Sequence, residues 1–268
     1  MKYLFADWRE LSKKFASTKK VILLTDYDGT LTPIVKHPGE AALSRNTKNL
    51  LRSISKKRRV KLGVLSGRSI SDIKKLVGLK NIIYSGNHGF EIETKRKLFL
   101  HPHAKKARPA LKQIYHSLSR RFSGDRQVII EDKRATVALH YRLAKGPKKV
   151  RQLKKIFRDI TRPYVKDKKV RLKYGKKVLE AWPFSRVDKG WALKWIMNKL
   201  AVRKTLMIYL GDDRTDEDAF KAMGRRGISV FVGSEKKRSK AGYFLKDTGE
   251  VKEFLKRLNL SFPDLIGQ

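Results

Sequence analysis

An α/β fold, with a parallel sheet interrupted by a smaller α+β module, is what this sequence of 268 residues predicts. Three observations carry that reading. Apolar runs rich in branched residues alternate with helix-like segments at both ends of the chain, the pattern of a parallel sheet. Between the two ends the rhythm changes to a helix followed by a hairpin, and this happens twice. The polar residues of the terminal segments gather where apolar runs stop, which in an open parallel sheet is the ligand-binding edge.

Taken in order, a short N-terminal helix candidate precedes "VILLTD", a continuous apolar run that reads as a buried strand. "VKLGVLSGR" (60–68) is a second such strand, followed by the helix candidate "SISDIKKLV". "NIIYSGNHGFEIE" is a third, broken by its Ser, Gly and Asn. In the middle, "ARPALKQIYHSLSRRF" reads as helix and "QVIIEDKRATVALHYRL" as two strands around a charged turn. "KKVRQLKKIFRDI" and "KVRLKYGKKVLEAWP" repeat that pattern, the second hairpin turning around Tyr174 and Gly175. Past Pro183, "DKGWALKWIMNKLAV" is an amphipathic helix capped by Asp188, and "TLMIYLGDD" is an apolar strand ending in two carboxylates. "RTDEDAFKAM" (helix), "GISVFVG" (strand) and "GEVKEFLKRL" (helix) complete the chain. The expected organisation is a core from residues 1–100 and 184–268, with residues 101–183 inserted as a second domain.

Composition narrows the function. Cysteine is absent, which excludes disulfides, zinc thiolates and cysteine nucleophiles. No run of about 18 apolar residues occurs and no signal cleavage pattern opens the sequence, so a soluble, cytoplasmic protein without membrane contact is expected. The charge is unusual, with 65 Lys and Arg against 25 Asp and Glu for a formal net charge of +40. Such an excess favours loose contact with anions, nucleic acid included. The basic runs "KKRR" (56–59), "KGPKKVRQLKK" (145–155) and "EKKRSK" (235–240) fall between apolar segments, where solvated faces belong.

Asp26 and Asp28 follow the first strand, Ser66 the second, Asn87 and His88 the third, and Asp212 and Asp213 a later one. Carboxylates gathered in one cleft repel each other and are costly to desolvate unless a cation sits among them. Mg²⁺ suits such a set, because it takes oxygen ligands and is commonly shared with a substrate phosphate. Singly, each element has a plainer meaning. Asp28-Gly29 alone reads as a turn, Ser66-Gly67 as a loop start, and Lys189 as one lysine among many. "TDED" (215–218) places acids where a helix dipole favours them. The ordered combination outweighs these separate readings.

"DYDGT", "LSGR", "DKG" and "GDDRTDED", in that order, resemble the four motifs of haloacid-dehalogenase-like (HAD) phosphatases. "SGNHGFEIE", "IEDKRATVALHYR" and "VLEAWP" extend the resemblance to the trehalose-6-phosphate phosphatase family over most of residues 20–255. The resemblance implies a Rossmann-like core with an inserted α+β cap, and a Mg²⁺-dependent hydrolysis of a sugar phosphate. It implies Asp26 as nucleophile, Asp28 as general acid and base, and Ser66 and Lys189 as phosphate and charge partners. Asp26, the Asp28 carbonyl and Asp212 would hold the metal, with Thr30, Asp213 and Asp216 behind them. Substrate contacts would come from Arg68, Asn87, His88, Gly89, Glu131, Lys133, Arg142 and Glu180. "EAWP" departs from the family in carrying Trp182 where a basic residue is frequent.

The core motifs would be identical in a phosphatase of another sugar phosphate, such as sucrose 6-phosphate or mannosyl-3-phosphoglycerate. Only the cap distinguishes these substrates. A nucleic-acid-binding protein is a third reading, resting on the basic charge, although no helix-turn-helix, zinc-finger or RNA-binding pattern is evident. The sequence leaves the oligomeric state open.

Overall fold

The computed structural model describes residues 1–35, 38–95, 97–175, 177–234 and 238–263. Residues 235–237 of the third basic run lie outside them. The chain divides into two compact units, Met1–Phe99 with Val187–Gln268, and Leu100–Arg186.

The first unit opens with β1 (Lys2–Tyr3), α1 (Trp8–Ser17), β2 (Lys20–Thr25), α2 (Arg45–Lys56) and β3 (Val60–Leu65). It continues with α3 (Ile70–Val77), β4 (Ile83–Gly86), β5 (Glu91–Thr94) and β6 (Lys97–Leu100). The second unit then supplies α4 (Pro102–Arg121), β7 (Ile129–Asp132), β8 (Val137–His140), α5 (Pro147–Lys166), β9 (Val170–Gly175) and β10 (Val178–Pro183). The chain returns through α6 (Lys189–Leu200), β11 (Thr205–Gly211), α7 (Asp216–Met223), β12 (Gly227–Val232), β13 (Tyr243–Leu245) and α8 (Thr248–Ser261).

Nine strands form the first sheet in the order β1-β13-β12-β11-β2-β3-β4-β5-β6. β2 lies inside it, parallel to β11 on one side and β3 on the other. Its unbroken apolar run follows from burial on both faces. Val21 and Leu23 enter one core while Ile22 and Leu24 enter the other. The sheet is parallel until β5, which pairs antiparallel with β4. The reversal occurs at Asn87, His88 and Gly89, whose φ angles are all positive (50°, 55° and 110°). The polar break foreseen in "NIIYSGNHGFEIE" is therefore a chain reversal joining two strands.

Four elements are hidden in the sequence: the two-residue β1, α2, β6 and β13. α2 is rich in polar and basic residues, yet Ser44 caps it by accepting the Thr47 amide at 3.1 Å, and Leu51 and Ile54 anchor its inner face. β13 has three residues, too few for a pattern to emerge. α4 also starts earlier than its apolar spacing suggests, with Pro102 in the first turn, where proline's missing amide costs nothing.

The second unit is a four-stranded sheet, β7-β8-β10-β9, antiparallel throughout. Leu111, Ile114 and Leu118 of α4 and Leu153 and Phe157 of α5 share its core with Val137, Leu139, Leu179 and Ala181. Among the described residues, no helix is long and apolar enough to cross a membrane.

Candidate active site

The carboxyl ends of β2 and β11 are neighbours, so Asp26 and Asp212 leave the sheet side by side. The Asp26 amide donates to Leu210 O at 2.8 Å, which fixes this register. Lys189 is the first residue of α6, and its ammonium is buried between Asp26 (Oδ2, 2.9 Å) and Asp216 (Oδ1, 2.8 Å). Asp188 caps α6 by accepting the Trp191 amide at 2.7 Å, which aims Lys189 at the strand ends. Gly89 packs against this point, where an added Cβ would stand 2.9 Å from the Ala192 Cβ and 3.0 Å from Asp188 O.

Asp216 opens α7 and is fully buried. Besides Lys189, it accepts from the Tyr209 hydroxyl and from the amides of Asp212 and Asp213, each at 3.0 Å. All of its acceptor capacity is engaged by the protein. Asp213 orders the turn that leads into the same helix, accepting the Thr215 amide at 2.8 Å and its hydroxyl at 2.7 Å. Asp212 accepts a bond from the Thr30 hydroxyl at 3.0 Å.

Burial sets the electrostatics. It pushes the Asp26 carboxyl well above the usual range, against the pull of Lys189 and with repulsion from Asp216 adding to it. Asp212 is pushed up to about 7, first by burial and then by the neighbouring Asp216. Burial also acts on Asp213, but the Lys189 charge and hydrogen bonding outweigh it and hold that carboxyl at about 2. Burial would strip Lys189 of its proton, yet Asp216 and Asp26 raise its affinity above the ordinary value.

Asp26, Asp212 and Asp216 each offer a carboxylate oxygen within 4.8 Å of the others. With Asp216 engaged elsewhere, Asp26 and Asp212 are the acids left for a cation. Gly29 makes room beside them. Its φ is +84°, and an added Cβ would stand 2.1 Å from Asp212 Oδ2, so the backbone approaches this carboxylate as only glycine allows. Two closely set acids, both disfavoured as anions by burial, are the donor set a hard divalent cation fits.

Ser66 is buried, and its hydroxyl oxygen accepts the Arg68 amide at 3.1 Å. The Arg68 guanidinium grips Asp28 in a fork, from Nε at 2.7 Å and Nη2 at 2.7 Å, while Nη1 reaches Asp72 at 2.9 Å. Asn87 donates its amide hydrogen to Arg68 O at 2.7 Å, and its side chain donates to the buried Glu91 carboxylate at 2.6 Å. His88 donates its amide to Ser66 O at 3.0 Å and lays its ring over Gly67, where an added Cβ would stand 2.4 Å from Nε2. Ser66, Arg68, Asn87 and His88 thus interlock at the ends of β3 and β4. Sequence reasoning missed Glu91 and Tyr209. Glu91 sits in an alternating "FEIE" and Tyr209 in an apolar run, so neither signals its partner.

In the second unit, strand register places Glu131 opposite Ala138, Ala138 opposite Glu180, and Glu180 opposite Lys173, a row across four strands. Lys133 donates to Glu180 at 3.1 Å and lies 3.9 Å from Glu131, which also meets His140 Nε2 at 2.8 Å. Trp182 is buried, sends its indole N–H to Glu180 at 3.3 Å, and carries the Lys173 ammonium 3.5 Å over its ring. A cation therefore stands beside Glu180 although position 182 is aromatic. Arg142 is exposed, two residues beyond β8.

The family model described as trehalose-phosphatase matches residues 24–249. Probable trehalose-phosphate phosphatase 3 of Oryza sativa subsp. japonica is 31% identical over 277 residues, spanning 94% of this chain and 72% of the relative. The solved C-terminal domain of C. albicans trehalose-6-phosphate phosphatase aligns with a TM-score of 0.74 at 25% identity, over 94% of this chain and 96% of that one. A haloacid dehalogenase-like hydrolase from Bacteroides thetaiotaomicron shares the fold, with a TM-score of 0.62 at 16% identity over 90% of this chain and 100% of that one. On a family match that takes in both strand-end aspartates, Lys189 and the whole second unit, the chain belongs to the trehalose-phosphatase family.

Proposed function

We propose that this protein hydrolyses trehalose 6-phosphate to trehalose and inorganic phosphate, with Mg²⁺ as cofactor and Asp26 as the nucleophile. The observation that carries the reading is the buried Lys189 bridge between Asp26 and Asp216, with Asp212 alongside. The buried Lys189 ammonium pulls the Asp26 carboxyl toward the anionic form that a nucleophile requires, opposing the desolvation that raises it.

In the first step an Asp26 oxygen attacks phosphorus and the bond to the sugar oxygen breaks, giving an aspartyl-phosphate. Asp28 donates a proton to the departing sugar oxygen, because an alkoxide leaves poorly without one. In the second step Asp28, now a carboxylate, takes a proton from water as the water oxygen attacks phosphorus and Asp26 is released. Arg68 holds Asp28 in place through its two-point fork. The Ser66 hydroxyl, already accepting the Arg68 amide, directs its own hydrogen to a phosphoryl oxygen. Asp26, the Asp28 carbonyl and Asp212 would hold the Mg²⁺, which supplies positive charge against the phosphoryl oxygens. Thr30 orients Asp212, and Asp213 and Asp216 order the turn that carries it.

We assign sugar recognition to Glu131, Lys133, Glu180 and Arg142 of the second unit and to the Asn87, His88 and Gly89 turn of the first. Carboxylates and ammonium groups with partly satisfied bonding pair well with sugar hydroxyls. The test is phosphate release from trehalose 6-phosphate with added Mg²⁺ or with EDTA. EDTA abolishes turnover, Mg²⁺ restores it, and Asp212→Asn requires at least about tenfold more Mg²⁺ for half-maximal rate. Turnover that survives EDTA and is indifferent to Asp212→Asn contradicts the metal assignment.

A further inference from the structure

The net charge of +40 is unevenly carried. Residues 100–186 hold 26 Lys and Arg against 6 Asp and Glu, so a third of the chain bears half of the excess. Within this unit the charge is ordered. Lys148, Arg151, Lys155, Arg158, Arg162 and Lys166 of α5 are all exposed and follow one another at three or four residues. At 3.6 residues per turn they fall within about 80° of arc and run for about 27 Å along the helix. The single acid on α5, Asp159, pairs with Lys155 at 3.2 Å. α4 contacts α5 and contains no acid, and its exposed Lys105, Lys112 and Arg120 fall on one stripe as well.

Neither the fold nor heat adaptation explains this face. The apolar sides of both helices are already committed to the core through residues such as Leu111, Leu118, Leu153 and Phe157. Like charges three and four residues apart oppose helix formation. Charge-based thermal stabilisation works through mixed ion-pair networks, and one acid in 20 residues builds none. A one-sign stripe that opposes its own helix is stabilised when a polyanion lies along it.

We propose that the outer face of α5, flanked by α4, is a sequence-independent docking surface for the phosphate backbone of double-stranded nucleic acid. The stripe is long and straight, as a duplex backbone requires. It carries no aromatic residue on which single-stranded bases would stack. It offers no apolar face for insertion into a bilayer, since that face is buried in the core. Binding would neutralise about six phosphates and release their counterions, so affinity falls about a thousandfold between 50 and 200 mM salt.

The experiment measures binding of the full chain to a fluorescein-labelled 20-base-pair DNA by anisotropy, across salt, for four proteins. The first is wild type. The second is Arg151→Glu, Arg158→Glu, Arg162→Glu. The third is a control with Lys14→Glu, Lys252→Glu, Lys256→Glu, exposed positions on α1 and α8. Thermal unfolding and phosphate release confirm that each is folded, and a second α5 variant with glutamine at the same positions removes charge without reversing it. The expected result is a steep salt dependence for wild type, about half that slope and at least tenfold weaker binding for both α5 variants, and little change for the control. Absence of binding at 50 mM salt overturns the proposal. Equal losses in the α5 and control variants overturn it in favour of diffuse net charge. Tighter binding to phosphatidylserine vesicles than to the duplex overturns the assignment to nucleic acid.

Discussion

Replacing Asp26 with asparagine removes phosphate release from trehalose 6-phosphate by at least about 10⁴-fold while the fold persists. The amide is nearly isosteric but is a poor nucleophile, so no aspartyl-phosphate forms. Stability behaves differently from activity. Asp26 is buried, and burial works against its anion. A neutral amide is therefore easier to bury, but it leaves Lys189 with one carboxylate partner where it had two. These effects oppose each other, so the unfolding midpoint moves much less than the rate. Steady-state phosphate release and thermal unfolding of the same preparation check both halves.

Lys189→Met has the largest expected effect on stability. The methionine fills a similar volume but leaves Asp26 and Asp216, both buried, without the ammonium that neutralises them. Breaking a buried ion pair from one side costs about 3–5 kcal/mol. For a chain of this size, that corresponds to a fall of roughly 6–20 °C in the unfolding midpoint. Adding Asp216→Asn removes one stranded charge and recovers part of the loss, because the asparagine oxygen still accepts from the Asp212 and Asp213 amides, which share Oδ2, while its NH2 takes the Oδ1 place and donates to the Tyr209 hydroxyl oxygen. Activity stays low in both variants, since Asp26 has lost its counter-charge. Thermal melts of the single and double variants separate this account from one in which Lys189 serves only to bind phosphate; that alternative gives a Lys189→Met protein of wild-type stability.

The strand ends were legible in sequence because the chemistry there is local. A run such as "VILLT" needs both faces buried, and the Asp that follows it stands where the sheet ends. The cap at Asp188 and the pattern of α6 likewise follow from neighbouring residues. What the sequence conceals is long-range. The fork between Arg68 and Asp28 joins residues 40 apart, and the Thr30 bond to Asp212 spans 182. Tyr209 reads as one more apolar strand residue, although its hydroxyl binds Asp216. Glu91 alternates like a solvent-facing strand residue, but it is buried and braces Asn87. In the second unit, Glu131 and Glu180 are 49 residues apart in sequence and come into one row only through the register of β7, β8 and β10. Partners of this kind emerge only once the sheet order is known.

The most direct test of the account compares initial rates of phosphate release from trehalose 6-phosphate, sucrose 6-phosphate and glucose 6-phosphate, with Mg²⁺ present, for wild type and Asp26→Asn. The account predicts a strong preference for trehalose 6-phosphate in kcat/KM, abolished by the substitution. An Asp26-dependent rate that is highest on another of these sugar phosphates would contradict it.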